Sequence, residues 1–480
     1  MTGLKFVGTD IPSAEDLANC IHCGFCLPSC PTYLATGQEL ESPRGRLHLI
    51  NGVREGRIEP TSRTLEHLDL CLQCRACETA CPSAVPYGRI MEDARASIMA
   101  NEPDEQPREW RLRAFALRNV LARPRVLRLA LGGARLYQRS GLQSLVRRWV
   151  APVLPASLRR IEASAPSLTA APFRKTGTLA SPAGAGTRVA MLLGCLHGEM
   201  YPNMHTATVT ALEHAGCEVV APPAQVCCGA LHAHAGDAET ARALARRNIH
   251  AFEAAGVDAV IVNAAGCGAA MKEYGRLLRH DANWAARAEA FSTKVKDVLE
   301  FVAEQDFAHD LGPVDRTVTL QDACHLAHAQ RIRKAPREIL GAIPGVTLNE
   351  MANSDRCCGS AGLYSVVQPE MSGRVLEPKM AAIAATSATT VCTSNPVYDA
   401  KVREALSQID PGERTRHSRE AQRMLLDDVP AMLPLTAPLE YASIREGVTG
   451  YEFDAYEFNA GTLARFWQGP EAAEAANPEA

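Results

Sequence analysis

The chain is poor in the features that mark several functional classes. Aromatic residues make up 5% of its 480 residues, too few for the stacking platforms that single-stranded nucleic acid requires. The formal net charge is -4, so no basic field draws a polyanion, and no nucleic-acid partner is expected. No uninterrupted apolar run reaches the roughly 18 residues that a membrane-spanning helix needs. The opening "MTGLKFVGTDIPSAEDLANC" has no basic segment leading into an apolar one, so no signal peptide is expected and the expected location is cytoplasmic. There is no Gly-x-Gly-x2-Gly fingerprint and no Walker loop, so neither flavin nor NAD is expected on this chain. What remains is ordinary for a soluble globular protein, with 46% hydrophobic and 22% charged residues. The length implies two to four domains.

Cysteine is the exception to this scarcity. There are 17, and a reducing cytosol disfavours structural disulfides. Clustered cysteines in such a chain point to metal ligation or thiol chemistry. The stretch "CIHCGFCLPSCP" spaces them as Cys20-x2-Cys23-x2-Cys26-x3-Cys30-Pro31. "CLQCRACETACP" repeats the spacing as Cys71-x2-Cys74-x2-Cys77-x3-Cys81-Pro82. Three close cysteines can wrap one [4Fe–4S] cube, while the fourth, before proline, serves the other cube. Cys20, Cys23, Cys26 and Cys81 would then hold one cluster, and Cys71, Cys74, Cys77 and Cys30 the second. Paired zinc sites are the competing reading, but they use separated Cys-x2-Cys pairs rather than a run of four. The spacer between the runs has apolar residues at helical spacing, and resembles the helical ferredoxin variant of succinate dehydrogenase-like iron–sulfur subunits. Arg44 and Arg46 lie in it, either offsetting cluster charge or making solvated helix contacts.

A second pattern occupies the later half. Cys195, then Cys227-Cys228-Gly229, then Cys267 are followed by Cys324, Cys357-Cys358-Gly359 and Cys392. The matching members lie 129, 130 and 125 residues apart, which reads as a duplication. Short β-branched runs such as "RVAMLLGC", "CEVVAP", "DAVIVNAAGC", "RTVTLQDAC", "VTLNEM" and "TTVCTSNP" alternate with helical stretches. Each repeat is therefore expected to be an α/β layer with a mostly parallel sheet, its cysteines just past strand ends where ligands sit. Cys217 fits neither pattern and reads as core packing. His325 and His328 read as supporting groups rather than ligands.

These strings identify a resemblance. Twin ferredoxin runs followed by two Cys-Cys-Gly domains, with "ESPRGRL", "CPSAVPYGRIMEDAR", "NAAGCGAAMKEYG" and "DACHLAHAQ", resemble the iron–sulfur subunits of glycolate oxidase. Wider relatives serve lactate utilisation, anaerobic glycerol-3-phosphate dehydrogenase and heterodisulfide reductase. The resemblance implies an electron-transfer subunit that is inactive alone, fed by FAD-binding dehydrogenase subunits that oxidise a 2-hydroxy acid, glycolate first. A membrane quinone is one candidate acceptor. It also implies a further cluster, or zinc, at Cys195, Cys227, Cys228 and Cys267 and at Cys324, Cys357, Cys358 and Cys392. The family motif ends in Cys-x2-Cys, whereas here Ala270 and Asn395 stand at the last position. The alternatives are a lactate-utilisation or heterodisulfide reductase-like subunit and a redox-sensing iron–sulfur protein.

The expected architecture is multidomain. An α-helical ferredoxin domain carrying two cluster motifs spans 1–100. A basic helical insert spans 101–162 and a flexible linker 163–187. Two tandem α/β cysteine-rich domains span 188–310 and 311–409, and a partly disordered extension covers 410–480. Residues 108–160 contain thirteen arginines and one acidic residue, Glu109. Docking of this insert on acidic partners or on the protein's own core is the preferred reading. Peripheral attachment to the inner face of the cell membrane is the alternative.

Overall fold

The computed structural model describes residues 5–102, 106–150, 153–154, 159, 168, 170–184, 186–308 and 311–395. The extension expected from 410 lies outside them. No strand occurs among the described residues before 177, so the region of the two cysteine runs is helical. Proline and capping residues set its starts. Cys30 is the N-cap of the helix Pro31–Thr36, with Pro31 in the first turn, where its missing N–H costs nothing. Ser42 caps the helix Pro43–Arg54 by accepting from the Gly45 N–H. Thr61 caps Ser62–Asp69 in the same way. The buried faces of these helices and of Tyr87–Met99 bring Leu47, Ile50, Leu65, Leu68, Ile90 and Met91 into one core that also takes in Cys71 and Cys77.

The later half forms two sheets. The first has the order β1-β3-β2-β4-β5, with β1 Gly177–Ala180, β2 Thr187–Met191, β3 Cys217–Ala221, β4 Ala259–Val262 and β5 Val295–Asp297. The second has the order β7-β6-β8, with β6 Arg316–Gln321, β7 Val346–Leu348 and β8 Thr390–Thr393. All pairings are parallel except β1 with β3. The β-branched runs supply β2, β3, β4, β6, β7 and β8, of which β4 and β8 are buried along their whole length, as parallel strands covered on both faces are. One expectation is corrected by β1: the segment 163–187 is not a linker throughout. "GTLA" pairs antiparallel with Val219–Ala221, so the sheet edge satisfies backbone groups that a linker would leave to water.

Strand register also corrects the duplication. Met191 of β2 pairs with Ile261 of β4, and Leu320 of β6 pairs with Cys392 of β8. Leu320 stands 129 residues after Met191, the spacing that separates Cys324 from Cys195. Cys392 is thus the counterpart of Ile261, not of Cys267. It is fully buried within β8, packed in the same apolar core as Val318, Leu320 and Ile339. The position matching Cys267 falls on Tyr398, outside the described residues. Cys217 is likewise 1% exposed within this core, as its isolation in the sequence suggested.

The insert docks on the protein's own core. Leu117, Leu121 and Leu127 pack with Val226, Cys227, Ala235 and Leu244. Arg118 grips the Asp237 carboxylate with two hydrogen bonds of 2.9 and 2.6 Å. Arg113 bonds Asp69, and Arg135 bonds the buried Glu199. The outer face of the helix Pro124–Arg139 leaves Val126, Leu129 and Leu136 exposed.

The ferredoxin region sits against both repeats. Arg276 pairs with Glu92 and Asp93, Arg242 with Asp10, and Arg75 with Glu273. Gly236, at φ +81°, approaches so closely that a Cβ there would lie 2.6 Å from the Arg95 carbonyl oxygen. On the second repeat, the Tyr364 hydroxyl donates to the Leu70 carbonyl at 2.9 Å.

Candidate functional site

The two ferredoxin-type runs share one backbone device. His22 and Gly24 have φ of 56° and 85°, and Gln73 and Arg75, at the same places in the second run, have 51° and 62°. Left-handed residues two and four positions after the first cysteine curl each loop, so that its thiols and N–H groups face inward. Three of the four are not glycine, a conformation that costs about 1 kcal/mol or more each and persists only where the surroundings impose it.

The structure divides the eight thiols between two cavities. Cys20, Cys23, Cys26 and Cys81 line one, with Cys77 at its wall. Cys30, Cys71, Cys74 and Cys77 line the other. The last cysteine of each run thus lies with the first three of the other run. Among the described residues no three His, Cys, Asp or Glu side chains are set for a single bound ion. Thiols arrayed around cavities suit a polynuclear cluster, in which each metal takes its own ligand.

Each cavity has an arginine. Arg44 lines the first, donates to the His22 carbonyl at 2.9 Å and pairs with Glu39 at 2.7 and 3.0 Å. Arg46 lines the second and is 1% exposed. It donates to the Glu41 carboxylate, the Glu41 carbonyl, the Thr32 hydroxyl and the His67 carbonyl at 2.6, 2.7, 3.1 and 2.7 Å. Burial opposes its charge, yet Tyr87, Cys71, Cys30 and Glu41 together hold its pKa above the ordinary value. Burial pushes Cys30 up, with Arg46 pulling the other way, and pushes Cys77 well up. The Gln73 N–H and the Tyr87 hydroxyl both point at Cys71 Sγ, at 3.4 and 3.5 Å. A buried cation and donors aimed at sulfur are what thiolates carrying metal would need, so these residues fit a cluster.

The Cys-Cys-Gly groups meet at a third cavity of about 510 Å³ between the two repeats. In the first group the neighbouring Cys195 and Cys228 thiols lower the Cys227 pKa through hydrogen bonding. The Cys228 thiol lies 3.1 Å from Cys267. All four expected residues of this group are therefore together. In the second group Cys324, Cys357 and Cys358 are together, and Cys392 is not, because it faces the core from mid-strand. Asn395 comes to this group instead, its amide donating to Cys358 at 3.5 Å. Cys74 also reaches it: it packs in the cluster that holds Cys357, and hydrogen bonding with Cys357 lowers the Cys74 thiol, while Cys324, Cys358 and Cys74 together raise Cys357. The second ferredoxin-type quartet and the second repeat are thus in side-chain contact.

His325 and His328 are held by the Gln73 and Asp355 carbonyls, each at 2.9 Å. Two residues escaped the sequence reading. Lys379 is 2% exposed, donates to the Asn353 and Ser354 carbonyls, and lies close enough to Cys324, Cys358 and Cys357 for their charge to raise its pKa against the larger lowering from burial. Nothing in its helical stretch distinguishes it from a surface lysine. His197 lines the third cavity, and burial pulls it down to about 4. Its Cys-x-His spacing after Cys195 was the available signal.

Comparison with known proteins agrees with this layout. The family "4Fe-4S dicluster domain" matches residues 16–85, and "Cysteine-rich domain" matches 189–272 and 318–397. "Glycolate oxidase iron-sulfur subunit, linker region" matches 108–165. The chain is 45% identical to the "Probable glycolate oxidase iron-sulfur subunit" of Bacillus subtilis (strain 168), over 79% of this chain and 87% of the relative. It is 35% identical to the "Glycolate oxidase iron-sulfur subunit" of Escherichia coli (strain K12), over 79% and 88%. A "Lactate utilization protein A" from Exiguobacterium sp. is 32% identical over 41% of this chain and 80% of the relative.

Proposed function

The chain belongs to the family of glycolate oxidase iron–sulfur subunits, and from that premise we propose that it relays electrons from a flavoprotein partner that oxidises glycolate to glyoxylate. The observation that carries this reading is the pair of four-cysteine cavities set beside each other in the helical region. Cys20, Cys23, Cys26 and Cys81 would hold one [4Fe–4S] cluster, and Cys30, Cys71, Cys74 and Cys77 the other. Such a cluster, when bound, accepts and gives up one electron at a time, which suits the stepwise reoxidation of a reduced flavin.

The chain's own residues tune and connect these sites. Arg46 keeps a positive charge beside the second quartet in a setting where water cannot screen it. Arg44 and the left-handed His22 and Gly24 hold the first loop open to the surface, where Cys23, Ile21 and Phe25 are exposed. An exposed apolar loop next to a cluster is a natural docking point for an electron donor. The contact of Cys74 with Cys357 gives a route from the second quartet toward the cavity between the repeats. The acceptor beyond it is a respiratory one, with a membrane quinone as the leading candidate.

The test is to purify the chain alone and together with its flavoprotein partner. Alone it should be brown, carry about eight irons at the ferredoxin-type cysteines and oxidise no glycolate. With the partner, glycolate should bleach the clusters. Glycolate turnover by the isolated chain would refute this division of labour.

A further inference from the structure

The first Cys-Cys-Gly repeat carries a histidine that its counterpart lacks. Counting by the strand register, His197 corresponds to Leu326, which is 1% exposed in an apolar cluster. The polar contacts of His197 fix its tautomer. Asn263 Oδ1 lies 3.2 Å from His197 Nδ1. The Asn263 amide nitrogen lies 2.9 Å from the Thr208 hydroxyl and 3.1 Å from His205 Nδ1. The Thr208 hydroxyl is committed to the Met204 carbonyl at 2.8 Å, and His205 Nε2 to the Leu193 carbonyl at 2.9 Å.

Both ends of this chain of hydrogen bonds are carbonyls, which only accept. Donation must therefore run outward along both branches: His205 Nε2–H and the Thr208 hydroxyl donate, so His205 Nδ1 and Thr208 Oγ accept from the two amide protons of Asn263. Asn263 Oδ1 is then an acceptor, and His197 Nδ1 carries the proton. Nε2 is left with a bare lone pair. That atom is buried, with no hydrogen-bond partner among the described residues, and His197 is itself 8% exposed.

An unshared buried acceptor is costly unless something fills it. His197 is among the residues that line the cavity which Cys195, Cys227, Cys228 and Cys267 also line. A neutral imidazole whose far nitrogen donates to a carbonyl oxygen is the usual arrangement of a metal-binding histidine.

We propose that the first repeat holds an iron–sulfur centre bound by Cys195, Cys227, Cys228, Cys267 and His197 Nε2, and that the second repeat holds none. The second repeat has only Cys324, Cys357 and Cys358, with a leucine in place of the histidine and Cys392 turned into the core. This inference rests on reading the cysteines as metal ligands and is independent of the substrate of the complex. It predicts a centre with mixed sulfur and nitrogen ligation, whose potential lies above that of an all-thiolate version because a neutral ligand replaces a charged one.

The experiment uses the full chain purified anaerobically and reduced with dithionite, so no partner or glycolate is needed. Iron and zinc are counted per chain, and the reduced centres are examined by pulsed EPR. Iron should exceed the roughly eight atoms that two cubes account for, and one centre should show a strongly coupled ¹⁴N. Growth on [¹⁵N]histidine should convert that coupling to ¹⁵N without any mutation. His197→Gln should abolish it, Cys227→Ala should remove the centre, and Cys358→Ala should leave it intact.

If Cys227→Ala changes neither iron nor spectra, or if the extra metal is zinc, the centre itself is refuted. If Cys227→Ala removes the centre but the nitrogen coupling survives in His197→Gln, the histidine assignment alone fails. Loss of the centre in Cys358→Ala would refute the assignment to the first repeat.

Discussion

Arg46→Leu removes a guanidinium that is enclosed beside the second quartet. The side chain makes four hydrogen bonds at 2.6 to 3.1 Å, including an ion pair with Glu41, whose side chain is only 4% exposed. Leucine would leave the Glu41 carboxylate buried with only His67, at 2.5 Å, to answer it. Breaking a buried pair from one side costs about 3–5 kcal/mol. At about 1.4 kcal/mol per tenfold, amides of the helix Pro43–Arg54 should lose protection from hydrogen exchange by roughly 100- to 5,000-fold.

Removing both charges together should cost much less, because the desolvation of Glu41 disappears with its partner. In Glu41→Leu/Arg46→Leu most of the protection should therefore return. The potential of the second cluster should fall in Arg46→Leu, where the cation is lost and the Glu41 anion remains, and recover in part in the double variant, where both charges are gone. Protection that changes less than about tenfold in the single variant, or is no better in the double, would refute the stability argument. An unchanged potential would refute the electrostatic one.

Cys30→Ala should remove the EPR signal of the cluster whose other ligands are Cys71, Cys74 and Cys77, and Cys81→Ala that of the cluster with Cys20, Cys23 and Cys26; the opposite pairing would show that each run closes on itself. Cys392→Ala should lower stability by about 1–2 kcal/mol, as a small core truncation does, and leave the iron count unchanged on metal analysis. Gly236→Ala places a Cβ 2.6 Å from the Arg95 carbonyl oxygen at φ +81°, so it should destabilise the contact between the helical region and the first repeat by about 1–3 kcal/mol, read as faster exchange in the helix Tyr87–Met99. Asp297, the N-cap of Val298–Ala303, is pushed by burial up to about 7, above its value of about 4 in an unfolded chain. The native state therefore holds this proton more tightly, and the contribution of this group to stability should be greatest below about pH 4 and fall as pH rises through about 7. Asp297→Asn should flatten that slope in denaturant titrations at about pH 5, 6 and 8.

The sequence alone located the two four-cysteine runs and the two Cys-Cys-Gly groups, and so the stretches of the chain that could carry metal. Two copies of a four-cysteine run are specific because thiol spacing along a short loop is a local property, set before any long-range contact forms. Most strands were legible for a similar reason: β-branched runs in parallel sheets have little polar content to confuse them, and the six runs singled out became β2, β3, β4, β6, β7 and β8. What the sequence left open depended on pairing between distant segments. The 125-residue spacing of Cys267 and Cys392 looked like part of the duplication, yet register is decided by neighbouring strands, and a small shift turned Cys392 from a cavity to a core. β1 and β5 were hidden because "GTLA" and "VKD" carry only one β-branched residue each, too little of a pattern to read, whereas the equally short edge strands β7 and β8 lie in longer β-branched runs.

Tertiary structure alone also decided which polar side chains face the thiols. Arg44 and Arg46 are two residues apart on one helix, and the sequence could not separate a solvated arginine from a buried one. Lys379 and His197 gain their meaning from groups that fold onto them. Thiol positions follow from short loops, but the environment that charges, donates to or completes a thiolate site is supplied by whatever packs against it, and that is settled only when the domains meet.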